Sequence, residues 1–233
     1  MTVDARHTAS FFPSANYPLY ADGYHKVARA YDPMLNSQQP DPPIASADVV
    51  LDFWFSERVR ALWFQSTPAF DAELCQRFVT TWQVARSGSL DDWADTGGGA
   101  LALVIVLDQF PLNMYRGQSD SFATEAAARN IARRAIESGV DRQIDNNRRA
   151  FLYLPFMHSE ALSDQEYALQ LFAQPGLEGN LKWARHHRDI VQRFGRFRTA
   201  MRLLAVPVPP KRSFILRLKV VIVADNGRGK FGA

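Results

Sequence analysis

Two polar residues in the stretch RRAFLYLPFMHSE have side chains suited to acid–base chemistry. His158 and Glu160 follow seven residues, of which six are apolar or aromatic. Histidine exchanges protons near neutral pH, and a carboxylate can act as its partner acid or base. Residues two apart do not share a helix face, so these side chains converge only if the backbone bends near Pro155. The stretch is therefore a candidate site, although a single core histidine is more often a satisfied structural group.

A second polar pair, Asp108 and Gln109, directly follows the apolar segment ALALVIVL (100–107). Because that segment is apolar on every face, we expect it to lie in the protein interior with both polar side chains at least partly buried. A buried carboxylate must be hydrogen-bonded or paired. Asp108 either fixes the next loop, for example through backbone N–H groups around Asn113, or faces a pocket.

The last apolar-patterned segment adds a further set of charged groups. His187 is followed by Arg188, Arg193 and Arg196. Histidine, carboxylate and arginine together can bind a phosphate or a carboxylic acid, because guanidinium pairs with such anions through two hydrogen bonds. The sequence has no HExxH or other metal-ligand spacing, no nucleophile elbow and no dinucleotide fingerprint. We therefore predict no metal site, and the cofactor is left unknown.

The elements that position these residues are predicted to be helices throughout. Apolar residues recur at helical spacing, and strand-type alternation is absent. The first predicted helix begins at Ser46 or Asp48 and runs through VVLDFWF. Further helices are predicted at 68–87, 100–110, 121–138, 145–161, 163–173 and 178–194. Pro111 is expected to end the helix at 100–110, and the TGGG sequence at 96–99 is expected to be a flexible hinge. The fold class is all-α, with antiparallel helices joined by short loops.

One core is expected to contain the large apolar residues of several helices. Its predicted members are Phe53, Trp54, Leu103, Leu107, Phe110, Phe151, Leu154, Phe156 and Phe194. Cys75 lies at helical spacing with apolar residues, which indicates a core thiol. The longest apolar run has eight residues, too few for a membrane span of about 20. We expect no secretory signal and no transmembrane segment, and a cytoplasmic location.

Charge divides the chain into three parts. Residues 1–45 hold 6 of the 13 prolines and are expected to form a poorly ordered extension. The helical domain, residues 46–197, is mildly acidic, so the overall basicity does not indicate nucleic-acid binding. The tail, residues 198–233, is strongly basic. Its charge supports a weaker hypothesis, association with anionic lipid.

Several motifs resemble the bacterial domain of unknown function 924 family. They run in order through the chain: LDFWF (51–55), LDQFPLNMYRG (107–117), FATEAAA (122–128), RRAFLYLPFMHSE (148–160) and HRDIVQRFGRF (187–197). The resemblance implies a right-handed helical array similar to the tetratricopeptide-like superfamily, but no known chemistry. The family's motif residues correspond to Asp108, Gln109, Arg116, Arg149, His158, Glu160, His187, Arg193 and Arg196.

The chain departs from the family pattern at two places. Leu112 stands where the family usually has arginine. After Phe197 the family continues with Pro-His-Arg-Asn, whereas this chain continues with RTAMRLLAVPVPP. Codons that encode residues 198–202 can specify Pro-His-Arg-Asn in a shifted reading frame. We therefore predict that a single-base shift near codon 197 has replaced the native C-terminus with an atypical tail.

Two main functional hypotheses follow. The first is a small-ligand site, for binding or hydrolysis, that takes an anionic molecule. Asp108, His158, Glu160 and His187 would do the acid–base chemistry, and Gln109, Arg116, Arg149, Arg193 and Arg196 would hold the ligand. The alternative is a helical-repeat scaffold that binds a peptide or protein partner, with a purely structural polar cluster. Neither hypothesis fixes the oligomeric state, and the sequence does not decide whether the protein is an enzyme.

Overall fold

The computed structural model describes residues 41–63 and 65–197, which form an all-α domain. Its eight helices are α1 (Ala47–Trp54), α2 (Glu57–Arg60), α3 (Pro68–Arg86), α4 (Gly97–Met114), α5 (Glu125–Glu137), α6 (Asn146–His158), α7 (Leu162–Phe172) and α8 (Leu181–Phe194). Short 3₁₀ turns connect several of them. The predictions for residues 1–40 and 198–233, including the shifted reading frame, lie outside the described residues.

Helix α4 is the central element of the domain. Helices α1, α3, α5 and α6 all pack against it. By length and composition its 18 residues could cross a membrane, but 89% of this segment is buried inside the fold. The other helices therefore cover α4 on its several faces, as expected for a helix with no polar stripe.

Pro111 does not end α4, which corrects the prediction from sequence. The helix passes through a π-helical turn at Ile105–Gln109 and continues as an α-helix to Met114. Proline has no N–H to donate to the carbonyl of the residue four positions earlier, which here is Leu107. The Thr124 hydroxyl donates to that carbonyl instead, at 2.5 Å. The helix therefore continues because a side chain from outside supplies the missing donor.

The TGGG sequence is the packed start of α4, and the prediction of a flexible hinge was wrong. Thr96 caps the helix by accepting a hydrogen bond from the Gly99 N–H at 3.1 Å. A Cβ atom on Gly97 would collide with the backbone oxygen of Val140, and one on Gly99 with that of Trp93. These glycines permit close backbone contact rather than motion.

The predicted core is confirmed with one exception. The eight members from Phe53 to Phe156 belong to one buried cluster, whereas Phe194 is only half-buried beside a small separate cluster of Ile190, Val191 and Phe197. Phe194 lies at the C-terminal end of α8, and α8 packs mainly against α7. The periodicity of α8 could not show that its last turn passes beyond the main core.

Helices α6, α7 and α8 form the part of the domain that carries most of the candidate site. Helix α7 packs against both α6 and α8. Helix α6 continues through Pro155 and ends at His158, where Ser159 adopts an extended conformation. The tetratricopeptide-like, right-handed arrangement stays a prediction.

Candidate functional site

The site is built around Asp108, whose side chain has no exposed surface. Asp108 lies in the π-helical turn of α4, where one extra residue per turn shifts the side chains that follow. Such turns occur often at functional sites because they redirect individual side chains. The carboxylate points neither to the loop around Asn113 nor to open solvent. It meets His158 and Gln109.

Asp108 and His158 form a directly bonded pair. Asp108 Oδ1 lies 2.9 Å from His158 Nδ1, although the residues are 50 positions apart. Because a carboxylate oxygen accepts hydrogen bonds, His158 Nδ1 is the donor in this pair. His158 Nε2 lies on the opposite side of the ring and points away from Asp108. Because 17% of the His158 side chain is exposed, the pair has a buried acidic half and a partly exposed basic half.

Gln109 supports the other oxygen of the carboxylate. Its Nε2 donates to Asp108 Oδ2 at 2.5 Å. The backbone oxygen of Gln109 accepts from the Asn113 side chain at 2.9 Å, and Asn113 Oδ1 accepts from Arg116 at 2.6 Å. Arg116 also bonds to the buried Asp71, at 2.9 and 3.3 Å. Within this motif, Gln109 and Arg116 therefore act in a network that extends from Asp108 along α4.

The backbone around His158 is held by side chains from the next two helices. Gln165 Nε2 donates to the carbonyl oxygens of Met157 and Ser159, at 2.8 and 2.6 Å. His187 Nδ1 donates to the same Met157 oxygen at 3.0 Å. These bonds satisfy carbonyls at the C-terminal end of α6, which have no partner within the helix.

Ser159 provides a further anchor immediately after His158. Its hydroxyl donates to Asp164 Oδ2 at 2.7 Å, and Asp164 also pairs with Arg129 and Arg133, at 3.3 and 3.0 Å. The loop after α6 is thus attached to α7 and, through the two arginines, to α5. The orientation of His158 therefore depends on contacts from several helices.

Glu160 and His187 are both linked to the last described residue, Phe197. Glu160 Oε1 accepts a hydrogen bond from the Phe197 backbone N–H at 2.7 Å. The Phe197 ring contacts the His187 ring, with 5.2 Å between ring centres. Gly195, with φ of 76°, turns the chain back at the end of α8 and allows this contact. His187 is buried, while Glu160 is half-buried.

The structure separates the predicted arginines into different places. Arg149 lies on α6 nine residues before His158, which at 1.5 Å per residue is about 13 Å along the helix axis. It contacts Asn146 there. Arg196 directly precedes Phe197 and is half-buried, whereas Arg193 is exposed on α8. Arg196 is therefore the predicted arginine placed next to the Glu160 and His187 contacts.

Sequence reasoning missed three residues that hold the site together: Thr124, Asp164 and Gln165. Gln165 and Thr124 are fully buried or nearly so, at 0% and 2% exposure. Asp164 and Gln165 belong to the polar run SDQE, which is typical of a solvent-facing helix start. The only available signal for Thr124 was Pro111, which requires some outside donor for the Leu107 carbonyl.

The chemistry available at this site is proton transfer or hydrogen bonding at His158 Nε2. A buried carboxylate on Nδ1 fixes the imidazole orientation and stabilises its protonated form. His186, which precedes His187 in the chain, is less suited than His158 to accept a proton. Burial lowers the pKa of His186, with a smaller opposing effect from Asp189. Within residues 41–63 and 65–197, no group of three or more His, Cys, Asp or Glu side chains is placed to hold a metal ion.

The fold and this polar centre define an all-α domain whose site joins α4 to the α6–α8 unit. Residues 50–202 match the bacterial protein family of unknown function designated DUF924, and the chain belongs to that family. Its structure is similar to that of a protein of unknown function from Agrobacterium tumefaciens. The two chains are 37% identical, with a TM-score of 0.66, and the match covers 70% of this chain and 92% of the other. Comparison with curated proteins found no significant match.

Proposed function

We propose that the domain binds a small anionic molecule at His158, either to retain it or to hydrolyse it. His158 Nε2 would exchange a proton with the ligand or donate a hydrogen bond to it. Asp108 would hold the ring and stabilise the imidazolium that forms. An anionic ligand suits this arrangement, because the Asp108 carboxyl is enclosed and Nε2 is the ring nitrogen that does not contact it.

The Asp108–His158 hydrogen bond is the observation that carries this proposal. A carboxylate with no exposed side-chain surface is costly unless it is paired, and here it is paired with a histidine that reaches the surface. A purely structural pair gains nothing from an exposed imidazole edge. Catalytic and ligand-binding histidines, by contrast, commonly bond a carboxylate through one nitrogen and act through the other.

The other predicted residues take graded roles in the proposal. Arg196, together with the exposed Arg193, would supply positive charge to the ligand. Glu160 would fix the chain next to Arg196 through its bond to Phe197. His187 could contribute acid–base chemistry only at Nε2, because its Nδ1 is committed to Met157. We no longer expect Arg116 or Arg149 to contact the same ligand.

Inorganic phosphate is a suitable first probe for calorimetric titration. His158→Asn keeps a donor at the position of Nδ1, and so keeps the Asp108 bond, but it removes Nε2. We expect this variant and Arg196→Gln to bind phosphate about tenfold more weakly or worse, a loss of about 1.4 kcal/mol. Arg185→Gln removes an exposed charge from the same helix and should bind like the unmodified protein.

Thermal unfolding of the same variants separates a ligand site from a structural pair. His158→Asn should melt close to the parent temperature because Asp108 keeps its partner. Phosphate that binds all four proteins equally, or none of them, would remove the basis of the proposal. Hydrolysis of p-nitrophenyl phosphate that is lost in His158→Asn would extend the proposal from binding to catalysis.

The scaffold alternative keeps one supporting observation, namely the internal pairing of Asp108, Glu160 and Arg116. It also requires exposed aromatic residues along a groove. Among the residues for which burial is described, the large hydrophobic side chains classed as exposed are Ile44, Val49 and Leu162, none of which is aromatic. The anion site is therefore the better supported hypothesis. A cytoplasmic location is proposed with it.

A further inference from the structure

Gln165 has a contact pattern that its sequence context does not suggest. Its side chain is fully buried on α7, and its single amide nitrogen bonds the carbonyls on both sides of His158. The partners are oxygens that only accept, so the amide must present its NH₂ group to them. Its own oxygen is buried without a hydrogen-bond partner among the described residues. The side chain is thus oriented by these two carbonyls alone.

We propose that Gln165 is the positioning residue that sets the ring orientation of His158, an inference that rests on the proposed function of that histidine. The two bonded carbonyls belong to Met157 and Ser159, so the amide spans the backbone of His158 itself. The chain leaves the helix immediately afterwards, with Ser159 at φ −66° and ψ 145°. Without the amide, the carbonyl of Ser159 has no other hydrogen bond to the described residues, and the Cα–Cβ direction of His158 is free to change.

The other hydrogen bonds around His158 do not depend on Gln165, so the effect of Gln165 can be separated from theirs. His187 also bonds Met157, so that carbonyl keeps one partner when Gln165 is changed. Ser159 keeps its hydroxyl bond to Asp164. The loop should therefore remain attached, whereas the conformation of the residue between the two carbonyls should not remain fixed. This separation allows the positioning effect to be measured in a folded protein.

The predicted consequence is a change in which nitrogen of His158 carries the proton. In the native arrangement Asp108 selects the Nδ1–H form. When His158 is no longer directed at Asp108, the neutral ring should shift toward the Nε2–H form, which predominates in free histidine. A residue that only ends a helix would lower stability without changing this ratio.

The test is nuclear magnetic resonance of the histidine ring nitrogens at mildly alkaline pH, on full-length protein without ligand. Gln165→Met matches the size of the side chain but has no donor, and we expect the Nδ1–H form of His158 to fall from dominant to minor. Thr81→Val is the control, since Thr81 is equally buried but bonds Ala45 instead. It should lose stability while keeping the Nδ1–H form.

A second variant covers the case in which Gln165→Met does not fold. Gln165→Asn keeps the amide donor on a side chain that is shorter by one methylene group; because it cannot span both carbonyls, it should give an intermediate ratio. A dominant Nδ1–H form in the folded variant would overturn the positioning role but leave the anion site intact. If the parent protein itself lacks that form, the proposed function fails first.

Discussion

The hydroxyl of Thr124 donates to the carbonyl of Leu107, and the indole N–H of Trp82 donates to the same hydroxyl at 3.1 Å. Three helical regions thus meet at one buried oxygen, directly beside the turn that carries Asp108. Although Thr124 stands at the N-cap position of α5, its side chain makes no capping bond there. Its hydroxyl serves α4 instead of its own helix.

Replacing Thr124 with valine should therefore be costly. The change strands both the Leu107 carbonyl and the Trp82 N–H, and each buried unpaired group costs about 1–3 kcal/mol. Thr124→Ser keeps the hydroxyl and should lose clearly less stability. Urea unfolding of both variants measures the difference, and equal losses would show that the missing methyl group, not the hydrogen bonds, matters there.

Phe151 tests the aromatic part of the core. It is 1% exposed and contacts the rings of Trp54, Phe55 and Trp63, with centre distances of 5.9, 5.5 and 4.6 Å. Phe151→Ala should lower the free energy of unfolding by about 3–5 kcal/mol, as cavity-forming changes do. Phe151→Leu fills more of the space and should lose less. An alanine variant that loses under about 1 kcal/mol would contradict the placement of α6.

Cys75 should behave as an inert core thiol. It is buried on α3, and burial raises its pKa to about 11, with a smaller effect from Asp71. Since the thiolate is the reactive form, iodoacetamide should not modify the folded protein near neutral pH. Mass spectrometry should detect modification only after unfolding in guanidinium. Rapid modification of the folded protein would contradict this burial.

His186 should make stability depend on pH in a defined direction. Its pKa is lowered from 6.5 by burial, so the unfolded chain binds a proton more readily than the folded one. The stability associated with neutral His186 is present above pH 6.5 and is lost as pH falls toward the lower folded value. His186→Gln should therefore lose less stability than the parent protein between about pH 7.5 and pH 5. Lys182 is exposed on the same helix, so Lys182→Gln is the control and should show the same dependence of stability on pH as the parent protein. If both variants match the parent protein, burial of His186 does not make its stability depend on pH.

The sequence predicted the all-α fold, most of the helices and most of the core. Periodicity located α3, α5 and α8, and apolar surroundings identified Asp108 and His158 as unusual. It could not show that Asp108 pairs with His158, because the contact joins positions 50 apart across two helices. It also placed the end of a helix at Pro111, since proline normally breaks helices and the rescuing donor Thr124 is distant in sequence.

The sequence also could not show which of the predicted arginines lie near one another. Residue type alone made Arg116, Arg149 and Arg196 equivalent candidates for an anion. The structure distinguishes them by partner and position: Arg116 is paired with Asp71, and Arg149 lies near the other end of α6. Arg196 is adjacent to the segment that Glu160 holds. Only tertiary contacts carry this distinction.

The central claim is that Asp108 holds His158 so that Nε2 faces an anionic ligand. It is tested most directly by following the His158 ring nitrogens by nuclear magnetic resonance while inorganic phosphate is added. In the Asp108→Asn control, Gln109 and His158 compete for a single side-chain oxygen, and the Nδ1–H form should be lost. We predict a protonated Nδ1, a bare Nε2 and a saturable phosphate-induced shift at His158 Nε2 in the parent protein, with no comparable shift at His186. A protonated Nε2 in the ligand-free protein, together with no saturable response to phosphate, would contradict the claim.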